Sequence, residues 1–251
     1  MFFLFLVLSC RTEDSVFSYK AFVPPKANID SPLEDSASPL DTGVLPEDTD
    51  TQSGCYTGNV TAQIFDAVDV FSQTLNSTTL TVNFDDVDTS GEDPVAIEAD
   101  RYFDSHGILI VGEGGQFVDD EFEWTDDYIS VSSPNMFAPG PAVLEGGGYN
   151  TEVSFAGCVS GFGAFFIDAD FPELGPSSLQ AENDKGEAIY TSTEIFSESG
   201  SSMFHGVVMV DDDGNIQPAI SQVNLVNGSV WPMSSCCDGV TLDNFVFSPP
   251  Q

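Results

Sequence analysis

The chain has 251 residues, with 41 Asp plus Glu against 5 Lys plus Arg and a formal net charge of −36. Such a chain excludes general nucleic-acid binding, because no basic surface exists to neutralise phosphates; docking on anionic membranes through protein charge is excluded too. Apolar residues make up 41%, 21 of them Phe, so a sizeable core can form where a disordered chain would be poorer in aromatics.

Residues 1–10, MFFLFLVLSC, open with an apolar run from Phe2 to Leu8. A bilayer span needs about 20 residues, so this run fits the apolar region of an export signal instead. It ends in Val7-Leu8-Ser9-Cys10, which resembles a bacterial lipoprotein signal, with Cys10 as the lipidated residue. One departure is that no Lys or Arg lies between Met1 and the apolar run. The alternative is an ordinary cleaved signal and a secreted protein. Residue 11 is Arg; an Asp there would signal inner-membrane retention in enteric bacteria, so the outer membrane is expected. Residues 11–54 are rich in Ser, Pro, Thr and acidic residues and lack any period of 2 or 3.6. They are expected to form a disordered, self-repelling linker that holds a domain away from the membrane.

Residues 55–251 are expected to form one domain. Apolar residues at 64, 68, 71 and 75 fall at helical spacing, which predicts a helix over 62–75. Beyond it, short alternating runs predict strands at 79–84, 108–111, 128–131, 152–158, 164–168, 178–182, 188–193, 204–210, 220–226 and 242–247. Turn chemistry separates them, at Asn183-Asp184-Lys185-Gly186, Asp211-Asp212-Asp213-Gly214-Asn215 and Asn227-Gly228. Strands without intervening helices point to an all-β fold, an antiparallel sandwich or barrel. Gly-rich stretches at 112–115 and 146–148 lack the strand–helix setting of a phosphate loop and read as loops with close backbone approaches.

Besides Cys10 there are four cysteines, Cys55, Cys158, Cys236 and Cys237, an even number in an exported chain. Two disulfides allow three connectivities. The favoured one joins Cys55 and Cys158 each to one member of the adjacent pair; a vicinal Cys236–Cys237 bridge would be strained. Zinc is not expected, since no CxxC pair exists and His106 and His205 are the only histidines.

The order of segments then resembles a known architecture. Asn83-Phe84-Asp85-Asp86 precedes Tyr102-Phe103-x-x-x-Gly107-Ile108, Ser133-Pro134-Asn135, Ala138-Pro139-Gly140 and Gly161-Phe162-Gly163. Leu179-Gln180-Ala181, Phe204-x-Gly206-Val207 and Leu242-Asp243-Asn244-Phe245-Val246-Phe247 follow. This pattern resembles exported bacterial β-sandwich domains that are similar to galactose-binding-like jelly rolls, the architecture of many carbohydrate-binding modules. The resemblance implies a structural Ca²⁺ between the first and last strands, held by Asp85, Asp86 and Asp243, with carboxylates and carbonyls supplying its six to eight oxygens. The Asp211–Asn215 cluster lacks full calcium-loop spacing and reads as a solvated hairpin tip.

Carbohydrate modules stack sugars on exposed aromatic rings. Trp124 and Tyr128, which alternate with carboxylates in Glu121–Tyr128, are the leading ligand candidates, with Trp231 a further one. No nucleophile elbow, zinc-protease motif or phosphate loop occurs, so no catalytic residue is assigned. The expected function is a membrane-tethered module that binds a glycan or extracellular polymer. The alternative is a structural or adhesive envelope protein stabilised by calcium; a glycoside hydrolase is the least favoured of the three. Residues 55–251 hold 32 of the acidic residues against Arg101 and Lys185 alone, so the charge sits mainly on the folded domain.

Overall fold

A computed structural model describes residues 54–76, 78–90, 94–119, 131–132, 134–140, 149–169, 176–198, 201–228 and 240–251. In chain order the elements are β1 (Thr61–Phe65), α1 (Val68–Thr74), β2 (Leu80–Val82), β3 (Val95–Ala96), α2 (Phe103–His106), β4 (Ile108–Gly112) and β5 (Gln116–Asp119). They continue with β6 (Met136–Pro139), β7 (Asn150–Val159), β8 (Gly161–Ile167), β9 (Ser177–Glu182), β10 (Ala188–Thr191), β11 (Ser202–Val210), β12 (Ile220–Asn227) and β13 (Thr241–Phe247).

The strands form two sheets with antiparallel pairing. One runs β1-β11-β8-β13-β6-β5-β3, with β2 also paired to β13; the other runs β10-β9-β12-β7-β4. The fold is an all-β antiparallel sandwich, as the alternating runs predict. Alternation shows most plainly in β9, where Ser177, Leu179 and Ala181 are buried and their neighbours half-buried. Inward residues of both sheets make one core, including Val82, Phe137, Phe166 and Phe245 from the larger sheet and Ile110, Val153, Leu179 and Leu225 from the smaller. These elements belong to a compact unit, Gln52–Gln251.

The expected helix over 62–75 is only half present. Residues 61–65 pair with β11 as β1, and the helix is Val68–Thr74. Between them Ala67 is extended, with φ −129° and ψ 119°. Tertiary pairing overrides the helical spacing here, and Ile64 is left 60% exposed. The helix covers the outer face of the larger sheet, where Phe71 and Leu75 pack with Phe204, Val208, Val210 and Val246. Because both faces are covered, β8 is buried almost throughout and reads as a nearly continuous apolar run, GFGAFFI. Gly163 and Gly206 face each other across β8 and β11 and leave room for Phe204. A Cβ at Gly206 would lie 2.7 Å from the Phe204 ring and 2.9 Å from Phe71.

Close backbone approach also explains the 112–115 loop, which crosses from one sheet to the other. A Cβ on Gly112 would meet the Gly115 carbonyl, and one on Gly140 would meet the Gly114 carbonyl. The stretch at 146–148 and most of the expected strand at 128–131 lie outside the described residues; Val131 itself is exposed and outside any strand. At the Asp211 turn, one carboxylate oxygen accepts from the backbone N–H of Asp213 and Asn215, at 3.0 and 2.8 Å, and the other from Gln217. This is a self-closed hairpin tip.

The favoured disulfide pattern is corrected. Cys55 pairs with Cys158, with Cα atoms 5.2 Å apart. The physical reason is position: Tyr56 N–H donates to Pro218 O at 2.8 Å, which sets the start of the domain beside the end of β7. Sequence spacing carries no information about that approach. Cys10, Cys236 and Cys237 lie outside the described residues.

Candidate metal centre

Strand β13 has β8 on one edge, and on the other edge β6 and β2 in succession. Leu242 pairs with Phe137 of β6, whereas Phe245–Phe247 pair with β2. Between these contacts the register with β8 shifts by one residue, and Asn244 takes φ 45°. This bulge places the Asp243 carboxylate at the junction of three strands. Asp243 is fully buried.

Its oxygens accept three donors. Ser132 N–H donates to Oδ2 at 2.8 Å, Asn244 N–H to Oδ1 at 2.7 Å, and the Ser132 hydroxyl to Oδ1 at 3.1 Å. Among the described residues no Lys or Arg is paired with it, and the salt bridge joins Arg101 to Asp86. Burial, aided by the nearby Asp85 charge, raises the Asp243 pKa to about 6 despite those hydrogen bonds.

Asp85 arrives from the turn after β2. Phe84 anchors that turn with φ 61°, its buried ring packed on Phe137, Phe245 and Tyr102 at 5.1, 5.3 and 5.8 Å. Buried Asn135 ties the turn together by donating to the carbonyls of Phe84 and Val87, both at 2.9 Å. Its backbone N–H donates to Asp85 at 3.3 Å. Asn83 Nδ2 donates to the other Asp85 oxygen at 2.7 Å, and the Ser132 hydroxyl lies 3.4 Å from the Asn83 carbonyl.

The cluster therefore offers two carboxylates, Asp85 and Asp243, with the Asn83 carbonyl and the Ser132 hydroxyl beside them. This is an all-oxygen donor set of the kind a hard cation such as Ca²⁺ takes. A buried carboxylate with no paired cation is the observation that fits one. Among the described residues no group of three or more His, Cys, Asp or Glu is placed to hold a metal, so neutral oxygens and water would complete the shell.

Asp86 does not join this cluster. Tyr102 donates to it at 2.6 Å and Arg101 at 3.0 Å. Partial burial opposes its charge, but these two hydrogen bonds and the Arg101 charge outweigh that and hold its pKa below the ordinary value. Ser132 and Asn135 were missed as site residues by sequence reasoning. The only sign of Asn135 was its place in Ser133-Pro134-Asn135; Ser132 had none. The aromatic ligand candidates Trp124, Tyr128 and Trp231 lie outside the described residues.

No protein-family model matches the chain, and no curated protein does. Among solved structures, ten chains match it. One is the K2 cleaved adhesin domain of Lys-gingipain, at 14% identity and TM-score 0.36, covering 68% of this chain and 99% of that one. Another is the enzymatically active domain of tailspike protein 4 of bacteriophage CBA120, at 12% identity and TM-score 0.31, covering 62% of this chain; the match spans 21% of the tailspike chain.

Proposed function

We propose that this protein is an exported, lipid-tethered β-sandwich of the bacterial cell envelope, with a structural or adhesive role and no catalytic one. A Ca²⁺ ion held by Asp85 and Asp243 closes its fold. The carrying observation is the buried Asp243 carboxylate beside Asp85, at the place where β2, β6 and β13 meet. Calcium there would neutralise a charge that burial makes costly, and would fasten three strands at one point. The Cys55–Cys158 disulfide supports an oxidising compartment.

Thermal melts in EDTA and in added Ca²⁺ test the reading. A midpoint that calcium leaves unchanged would overturn it. The tether is tested separately: Cys10→Ala should release the protein from the membrane fraction, and retention of that variant counts against lipidation. A second reading, glycan or extracellular-polymer binding, draws on the aromatics that alternate with carboxylates over Glu121–Tyr128. It predicts array binding by the wild type that Trp124→Ala loses.

A further inference from the structure

Three buried oxygens on the smaller sheet have no partner among the described residues: Thr151 Oγ1, Ser177 Oγ and Asn227 Oδ1. Their residues are 0%, 3% and 1% exposed. The register brings them together. Ser177 is directly paired with Asn227 across β9 and β12. Thr151 of β7 is paired with Leu225, two residues before Asn227. Each shares the inward face of core neighbours Leu179, Val153 and Leu225. Directly opposite residues have Cβ atoms about 5 Å apart, and diagonal ones are about 7–8 Å apart. The three side chains thus lie close together as one polar group across three strands, Ser177 opposite Asn227 and Thr151 diagonal to it.

The orientation of Asn227 fixes the chemistry. Its Nδ2 donates to Val240 O at 3.0 Å, and its backbone N–H donates to Tyr149 O at 3.2 Å. Oδ1 is therefore the atom left over, an acceptor with two free lone pairs. Its partner must donate. Thr151 and Ser177 each both donate and accept. A carboxylate ligand would serve the hydroxyls and fail Asn227. A hydroxyl-type group serves all three.

We infer that this row is a binding site for hydroxyl groups, with one between Ser177 and Asn227 and another between Asn227 and Thr151. Ordered water supplies them in the resting protein, in keeping with the few hydrogen bonds a buried water makes; hydroxyls of a sugar or polyol have the same chemistry. The row shares no residue with the carboxylate pair of Asp85 and Asp243. Strand β7 starts beside it at Asn150 and ends beside the disulfide at Val159, so the row lies at the end of the sandwich away from Cys55.

Thermal melts of the full chain carrying Thr151→Val or Ser177→Ala test this. Valine has nearly the shape of threonine, so its effect reports on the lost hydroxyl. An occupied row predicts that each variant lowers Tm by about 2–4 °C, the equivalent of one lost hydrogen bond in a domain of this size. A Tm that stays or rises in Thr151→Val means that the oxygen bonds nothing, and overturns the proposal. Methyl galactoside separates the two sources. A larger Tm gain in the wild type than in the double variant assigns the hydroxyls to a sugar, and equal gains assign them to water.

Discussion

Asp243 makes the stability of the calcium-free protein depend on pH in a direction opposite to that of an ordinary paired carboxylate. Its pKa is about 6 in the folded chain, against 3.8 without the fold. At about 1.36 kcal/mol per tenfold change in proton affinity, the ionised form is disfavoured by about 3 kcal/mol. A raised pKa means that the folded state binds more protons than the unfolded one between these values. The contribution is therefore fully present below pH 3.8 and is lost as pH rises through about 6. For a domain of this size that corresponds to a fall in Tm of about 6–12 °C. Calcium should reverse it, since an ion at a hundredfold its Kd adds about 2.7 kcal/mol. The assay is a set of melts from about pH 4 to pH 8, in EDTA and in Ca²⁺, at ionic strength fixed with NaCl. Fixed salt matters because the surplus of carboxylates repels itself, and that repulsion also grows with pH. Asp243→Asn isolates the site: its EDTA profile should lack the extra fall between pH 4 and 6. If wild type and variant show the same slope, or if the EDTA and Ca²⁺ curves coincide at every pH, the reasoning is refuted.

The Cys55–Cys158 bond closes a loop with a sequence separation of 103, so Cys158→Ser should cost about 3–5 kcal/mol in urea unfolding. An m-corrected loss below about 1 kcal/mol would mean that the bridge adds little to the strand network. Gly206→Ala drives a methyl into the Phe204 and Phe71 rings and should cost about 1–3 kcal/mol, read as a drop in urea midpoint. An unchanged midpoint would show that α1 gives way without cost. His205 is buried and hydrogen-bonded to Tyr190 at 3.0 Å, and burial lowers its pKa from 6.5. The folded state then binds fewer protons, so its contribution is present above pH 6.5 and lost as pH falls below it. His205→Gln should flatten that acid-side loss; an identical profile in wild type and variant would place the titration elsewhere.

Much of the sandwich was legible because strand periodicity is local. The runs at 152–158, 204–210, 220–226 and 242–247 become β7, β11, β12 and β13, each slightly longer than the alternation suggests. Strands β1, β3, β5 and β6 were missed. They are short, and what makes them strands is a partner: β6 matches β13 at only one residue pair and β5 at four. The helix expectation failed over 62–65 for the same reason, since pairing with β11 outweighed spacing.

The candidate site divides in the same way. Asp85 and Asp243 could be named from their motifs, because residue type and place at a strand end are written in the sequence. That Arg101 and Tyr102 engage Asp86 could not be read from spacing. Ser132 is 111 residues from Asp243, and nothing local links them. Composition determined that the domain is strongly acidic and apolar enough to fold, and local alternation that it is built of strands. Only the tertiary structure decided which cysteine meets which, which carboxylate is buried, and which oxygens are left without partners. Those outcomes depend on approaches between segments distant in sequence, whereas local periodicity depends on neighbours along the chain.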